Sequence, residues 1–173
     1  MQSPAAQAFS LWFVPRREVS DRLSKIIRQL SSRFGAPVFL PHVTLLGSLT
    51  GSRRDLIRRC SQVAAGIRPF RIRLEEIDFR DEYFRCLFVH AALTPPLRAA
   101  HQAACRAFGR RHEPAFMPHL SLLYGDFPRG RKSDIIAEIG PRLDVEFKVR
   151  SLHLYQTQGA PLRWRKVARF GLN

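Results

Sequence analysis

The sequence predicts an α+β fold built by duplication, with two lobes related by a pseudo-twofold axis. Residues 41–46 and residues 118–123 both read Pro-His-apolar-hydroxyl-Leu-Leu, and the second copy follows the first by 77 residues. Similar strands and helices alternate around each copy in the same order, as expected of a structural repeat. We therefore expect antiparallel sheets that line a central cleft, with the helices packed outside them.

A single domain is expected over residues 1–173, because a chain of this length can bury one substantial core. Within that domain, residues 9–80 and residues 84–157 are predicted to form the two repeated lobes. A last strand over residues 162–170 has no counterpart in the first lobe, and we expect it to complete the sheet.

The first lobe is predicted to contain three strands and two helices. Apolar residues recur at the period of a helix in two segments and form short runs or alternate in the others. The predicted elements are, in order, a buried strand over residues 9–14, a helix capped by Ser20 and ended by Gly35, the first motif strand over residues 38–46, a basic helix over residues 53–65 and an alternating strand from residue 70 towards residue 79.

The second lobe is predicted to repeat this order. Its helix carries apolar residues at the same spacing as the first helix, and the glycine that ends it is equivalent to the first one. The predicted elements are, in order, a strand over residues 86–89, a helix opened by Thr94 and closed by Gly109, the second motif strand, a helix over residues 133–139 and an alternating strand from residue 145 towards residue 155.

The two motifs bring together side chains that suit acid–base chemistry on a phosphate. In a strand, residues two positions apart share a face, so His42 lies beside Thr44 and His119 beside Ser121. One imidazole can act as a general base while the other, protonated, acts as a general acid. The two hydroxyls can donate hydrogen bonds to phosphate oxygens. No carboxylate cluster or Cys/His ligand set accompanies the motifs, so we predict catalysis without a metal ion or another cofactor.

Composition narrows the class of protein. The net charge of +15 predicts an anionic partner such as RNA, although a solvated basic surface without such a role is the alternative. The three cysteines are odd in number and lack metal-ligand spacing, so reduced thiols are expected. The first residues show no secretory signal, and no apolar run could span a membrane. A cytoplasmic monomer that does not bind membranes is therefore predicted.

Paired His-x-Thr/Ser segments, each followed by an apolar residue, resemble the signature of the two-histidine phosphoesterase superfamily. Within that superfamily, the chain looks most like the cyclic phosphodiesterases of plant and yeast type. The segments that carry this likeness, beyond the two motifs, are residues 11–15, 84–86, 117–124 and 164–173. The resemblance implies a bilobal fold with the active site between the lobes.

The resemblance also implies an activity and its residues. The implied reactions are hydrolysis of ADP-ribose 1″,2″-cyclic phosphate to the 1″-phosphate and of nucleoside 2′,3′-cyclic phosphates to 2′-phosphates. His42, Thr44, His119 and Ser121 become catalytic residues by this likeness, with His119 as the base and His42 as the acid. Three alternatives stay open: a 2′,3′-cyclic phosphodiesterase of RNA ends, a 2′-5′ RNA ligase-like enzyme, and an RNA-binding module without catalysis.

Three aromatic residues are further candidates for the site. Tyr124 replaces the glycine found at the same place after the first motif, and its hydroxyl could bind phosphate. Trp12 and Phe84 are candidates for stacking on a nucleobase, with a place in the core as the alternative. Two arginine clusters could hold phosphates or simply face solvent. Their members are Arg53, Arg54, Arg58 and Arg59 on one helix, and Arg163, Arg165 and Arg169 near the end of the chain.

Overall fold

A computed structural model of the chain describes residues 8–110 and 115–173, so His112 lies outside the described residues. Over this part of the chain, eight strands form one sheet and four α-helices pack against it. The strands are β1 (Phe9–Phe13), β2 (Val43–Leu49), β3 (Phe70–Asp78), β4 (Leu87–Ala91), β5 (His119–Leu123), β6 (Arg142–Val149), β7 (Ser151–Gln156) and β8 (Arg165–Gly171). The helices are α1 (Arg17–Phe34), α2 (Arg53–Ala65), α3 (Pro95–Ala107) and α4 (Arg129–Ile139), and 3₁₀ turns span Tyr83–Arg85 and Pro161–Arg163.

The order of the strands is symmetric about the two motif strands. The sheet runs β6-β3-β4-β5-β2-β1-β7-β8, and every neighbouring pair is antiparallel. At the centre, β2 and β5 share the single ladder pair Val43–Leu120. Two four-stranded halves therefore meet where the motifs lie, which confirms the predicted duplicated α+β fold.

The repeats in the sequence do not coincide with the two halves of the sheet. The third strand of the first repeat, β3, pairs with β4 and β6, which belong to the second repeat. In return, β7 of the second repeat pairs with β1 of the first repeat. The other neighbour of β7 is β8, which belongs to neither repeat. Strand pairing thus crosses between the predicted lobes over residues 9–80 and 84–157, and β8 occupies the position in the strand order equivalent to that of β6.

The core lies between the helices and one face of the sheet. The apolar residues of both motif strands point into this core, since Val43, Leu45, Leu120 and Leu122 are buried in a single cluster with residues from all four helices. The apolar stripe of each helix covers this face. The opposite face of the central strands is left to carry polar and aromatic side chains.

Two predicted starting points in the first repeat are wrong. Helix α1 begins at Arg17 rather than after Ser20, because Val19 extends its apolar stripe by one turn onto the core. Strand β2 begins at Val43 rather than at residue 38. The preceding segment contains Pro37 and Pro41, which have no N–H to contribute to a ladder.

Two predictions in the second repeat are also wrong. Helix α4 begins at Arg129, four residues earlier than predicted, because its first turns are held by the buried polar residue Lys132 rather than by an apolar stripe. The strand predicted from residue 145 towards residue 155 is two strands divided at Arg150. The residue types of both strands follow one alternating pattern in the sequence, but β6 pairs with β3 whereas β7 pairs with β1.

Other predictions are confirmed. Helix α2 has the predicted bounds, and Gly35 ends α1 with a left-handed φ of 63°. All three cysteines are buried, and no disulfide joins any two of them. Among the described helices, none combines the length and apolar character needed to cross a membrane.

We expect Ile72→Ala in β3 to lower the free energy of unfolding by about 2–5 kcal/mol, because it leaves a cavity in the core. Its neighbour Arg71 points to the other face and forms an exposed ion pair with Glu146. Arg71→Ala is the matched control and should cost less than about 1 kcal/mol. Urea unfolding of the three proteins measures both values, and similar costs would contradict the placement of β3 in the core.

Candidate active site

The two motif histidines are held in the same way. Nδ1 of His42 lies 2.6 Å from the carbonyl oxygen of Leu40, and Nδ1 of His119 lies 2.9 Å from that of Met117. A carbonyl oxygen only accepts, so Nδ1 carries the proton in each ring. No described residue forms a hydrogen bond with either Nε2. Each histidine therefore keeps one nitrogen available for a ligand.

One cleft of about 460 Å³ is lined by both histidines and extends over the face of the sheet opposite the core. Its volume is typical of a site for a small ligand. Every residue that the sequence placed in the site lines this cleft, which brings both motifs and all three aromatic candidates together. These residues are Trp12, His42, Thr44, Phe84, His119, Ser121 and Tyr124.

His42 is packed deep in the cleft wall. Its ring stacks on the indole of Trp12 with 3.6 Å between ring centroids, and Tyr155 also stacks on Trp12, at 4.1 Å. Burial lowers the pKa of His42 from its usual value to about 4, against the hydrogen bond to the Leu40 carbonyl, and the nearby His119 lowers it further. The ring is therefore neutral at pH 7 in the free protein.

The environment of His119 is more exposed and contains more charges. Burial is again the main cause that lowers its pKa, and the neighbouring Arg85 and His90 act in the same direction. His90 lies opposite His119 in the neighbouring strand and approaches the carboxylate of Asp78 at 3.1 Å. The ring of Phe88 packs edge-on against both histidines.

The two motif hydroxyls are not equivalent. Ser121 Oγ donates to the backbone carbonyl of Phe84 over 2.9 Å, which ties the motif strand to the 3₁₀ turn at the cleft wall. The hydroxyl of Thr44 has no hydrogen-bond partner among the described residues. Thr44 is therefore the motif hydroxyl with a proton free to donate into the cleft.

The aromatic candidates differ in what they offer a ligand. Trp12 is only 2% exposed and already carries two stacked rings, so it supports His42 and has little free face for a nucleobase. Tyr124 is buried and stacks on Phe39 at 3.8 Å, and burial raises the pKa of its phenol. Phe84 is 51% exposed. Its ring is thus the one of the three that a base could cover.

Arg85 and Trp164 also line the cleft and were not among the site residues predicted from the sequence. Arg85 brings a cation to the cleft, where it also pairs with Glu82 at 2.6 Å. Trp164 packs against Trp12 and Phe84 from the segment before β8. Arg85 directly follows a predicted candidate, which was the available signal. Trp164 begins the last segment that carried the family resemblance, but this part of the chain has no counterpart in the first repeat, so no motif marked it as a site residue.

Other histidines have structural partners. His101 stacks on Phe116 at 3.8 Å, and its Nδ1 lies 2.8 Å from the carbonyl oxygen of Leu45. Within residues 8–110 and 115–173, no group of three or more His, Cys, Asp and Glu side chains is placed to hold a metal ion. Metal-free catalysis stays a prediction.

A family model described as the 2′-5′ RNA ligase superfamily matches residues 15–161. The chain belongs to this superfamily. The match covers both motifs and most of the fold, and it confirms the two-histidine phosphoesterase resemblance that the sequence predicted.

Relatives of this superfamily member are named for enzymes that act on cyclic phosphodiesters. A cyclic phosphodiesterase of Arabidopsis thaliana is 25% identical over 100% of this chain and 99% of its own length. A 2′,3′-cyclic-nucleotide 3′-phosphodiesterase of Phaeosphaeria nodorum is 31% identical over 69% of each chain. The prediction that the chain is an enzyme is confirmed.

Solved structures share the fold of this superfamily member. The protein TT0787 of Thermus thermophilus superposes with a TM-score of 0.64 at 19% identity, over 95% of this chain and 97% of its own. E. coli LigT, solved in complex with 3′-AMP, also gives a TM-score of 0.64, at 17% identity over 97% of this chain and 99% of its own.

We expect the burial of His42 to make the protein less stable in acid. Between pH 6.5 and pH 4 the unfolded chain binds a proton at this ring that the folded chain excludes, so the free energy of unfolding falls as the pH falls. His42→Asn keeps an N–H that can donate to the Leu40 carbonyl and does not titrate. Between pH 7.5 and pH 4.5, wild type should lose about 2–3 kcal/mol more than this variant in urea unfolding. An equal loss in both proteins would contradict the lowered pKa.

Proposed function

We propose that this enzyme hydrolyses cyclic phosphodiesters by metal-independent general acid–base catalysis with His42 and His119. The observation that carries the proposal is the pair of matching Nδ1–carbonyl bonds, which leave two Nε2 atoms without protein partners in one cleft. Names of relatives support the same reaction class.

In this mechanism the two rings divide the proton transfers. A neutral imidazole takes a proton from water through Nε2 while the water oxygen attacks phosphorus. The bond from phosphorus to one ring oxygen of the cyclic ester breaks, and the protonated imidazole gives its Nε2 proton to that departing ribose oxygen. The product is a phosphomonoester, and the exchanged protonation states are restored through solvent.

The assignment of base and acid is a separate question. The family resemblance implied His119 as the base and His42 as the acid. In the free protein, however, His42 is the more buried ring, with a pKa of about 4, so a shared proton goes first to His119. The order of the pKa values therefore favours His42 as the base and His119 as the acid.

Charge that builds on the phosphate needs donors around it. Thr44 can donate its hydroxyl proton, while Ser121 would have to turn from the Phe84 carbonyl towards the phosphate. Arg85 adds a positive charge on the His119 side of the cleft. Preorganised donors of this kind stabilise a transition state without reorganisation at the moment of reaction. Tyr124, whose phenol stays protonated, is a further donor at the same end.

The proposed substrates are ADP-ribose 1″,2″-cyclic phosphate and nucleoside 2′,3′-cyclic phosphates, which would give the 1″-phosphate and the 2′-phosphates. A cleft of about 460 Å³ suits a ligand of nucleotide size, and the exposed ring of Phe84 offers a surface for the base. RNA that ends in a 2′,3′-cyclic phosphate is the alternative, favoured by the net charge of +15. Joining RNA ends through a 2′–5′ linkage would be the reverse chemistry at the same site.

Phosphorus NMR in the presence of EDTA tests the reaction. Wild type should convert ADP-ribose 1″,2″-cyclic phosphate and 2′,3′-cyclic AMP to phosphomonoesters, whereas His42→Asn and His119→Asn should each be slower by roughly 10²–10⁴-fold. Both variants keep an N–H near the carbonyl that Nδ1 contacts, so the fold is preserved. Turnover that persists in both variants, or that EDTA abolishes in wild type, would overturn the mechanism.

A substrate with a good leaving group distinguishes the acid from the base. Catechol cyclic phosphate releases a phenol, which needs little help from an acid. One of the two single variants should recover most of the wild-type rate on this compound, and the recovering variant lacks the acid. The pKa order predicts that His119→Asn recovers. Recovery of both variants, or of neither, would contradict a division of roles between the rings.

A further inference from the structure

A row of side chains crosses the cleft face of the sheet and leads away from the motifs. Thr44 in β2 is the ladder partner of Trp12 in β1, and Trp12 is the partner of His153 in β7. His153 is in turn the partner of Arg169 in the edge strand β8. Residues directly opposite each other in antiparallel strands share a face. The row thus connects the reaction site to the edge of the sheet.

His153 is buried with one nitrogen left without a partner. It is 8% exposed, its Nε2 lies 2.9 Å from Ser151 Oγ, and Arg169 Nε donates to the same oxygen over 3.2 Å. Because the guanidinium only donates, the hydrogen of Ser151 can point to Nε2, which leaves the proton of the neutral ring on Nδ1. That Nδ1 is buried and has no hydrogen bond. An unpaired buried donor is costly, and it indicates a missing acceptor.

Three cations surround this donor, and no described carboxylate neutralises them. Arg16, Lys166 and Arg169 lie close enough to lower the pKa of His153. None of the three forms an ion pair with a described residue, although ten other basic side chains among the described residues do. A site with positive charge and a free donor, and without acidic groups, suits an anion.

We propose that His153, Arg169, Lys166 and Arg16 form a second phosphate subsite, which binds a phosphate of the substrate other than the one that reacts. The inference rests on the proposed function, because the subsite would hold a second part of the same substrate. Strands lie about 4.8 Å apart, so His153 and Arg169 lie roughly 10 Å and 14 Å from Thr44 across the sheet. That separation suits a phosphate that lies one or two phosphate-to-phosphate steps along a nucleotide chain from the cyclic end.

Two sources could supply this phosphate. One is the next phosphodiester of an RNA that ends in a 2′,3′-cyclic phosphate, and the other is the diphosphate of ADP-ribose 1″,2″-cyclic phosphate. The nucleotide 2′,3′-cyclic AMP has no second phosphate and serves as the reference substrate. The dinucleotide ApA with a terminal 2′,3′-cyclic phosphate represents the RNA source.

The test compares kcat/KM for these three substrates in wild type, Lys166→Ala, Arg169→Ala and Arg28→Ala. Arg28 is an exposed residue of α1 without an ion pair, so its variant changes the net charge equally and is the matched control. We expect the two β8 variants to lose about tenfold on a substrate with a second phosphate relative to 2′,3′-cyclic AMP, while Arg28→Ala keeps the wild-type ratio. The substrate that shows the loss identifies the source.

Binding of products separates this subsite from the catalytic proposal. Calorimetric titration with 2′-AMP and with ApA bearing a 2′-phosphate needs no turnover. The dinucleotide should bind about tenfold more tightly to wild type, and its affinity should fall more steeply with salt, by about 0.7 in the log–log slope. If the ratios in Lys166→Ala and Arg169→Ala equal those of wild type in both assays, the subsite is refuted, even where hydrolysis itself is observed.

Discussion

The hydrogen bonds from Nδ1 of His42 and His119 to the carbonyl two residues earlier control the rest of the site. Each bond fixes the ring orientation and the tautomer, and so directs Nε2 away from the backbone. A proline precedes each histidine and has no N–H to donate to a neighbouring strand, although the carbonyl of Pro118 accepts from the N–H of Ala91 in β4. The same local geometry on both sides of the central strand pair produces two equivalent rings that face one cleft.

Equivalent geometry does not give the two rings equivalent properties. His42 lies against Trp12, which is itself packed on Tyr155, whereas His119 has Arg85 and His90 as charged neighbours. Burial is the main cause that lowers the pKa at both rings, and at His119 the neighbouring Arg85 and His90 add to it. When two rings share one proton, a difference between their pKa values decides which ring is protonated. Such a difference lets one ring act as the base and the other as the acid.

Much of this site was predictable from the sequence, because strand periodicity alone puts His42 beside Thr44 and His119 beside Ser121. The missing parts depend on contacts between distant segments. The sequence left Trp12 either stacked on a base or placed in the core, and the strand order brings Tyr155 onto it. Helix α4 began earlier than its apolar pattern because Lys132 is buried against Asp81 and the Arg80 carbonyl, a satisfied polar contact that no periodicity reveals.

The exchange of strands between the repeats makes the site a property of the whole chain. His119 lies in β5, which is flanked by β4, and β4 has its other neighbour, β3, from the first repeat. His42 depends on Trp12 in β1, which pairs with β7 of the second repeat. Neither repeat can complete its own sheet half, so both halves must form together before the two rings face each other. Strand β7 places His153 opposite Trp12, and β8 places Arg169 opposite His153. The same exchange therefore adds a positively charged side chain on the His42 side of the sheet.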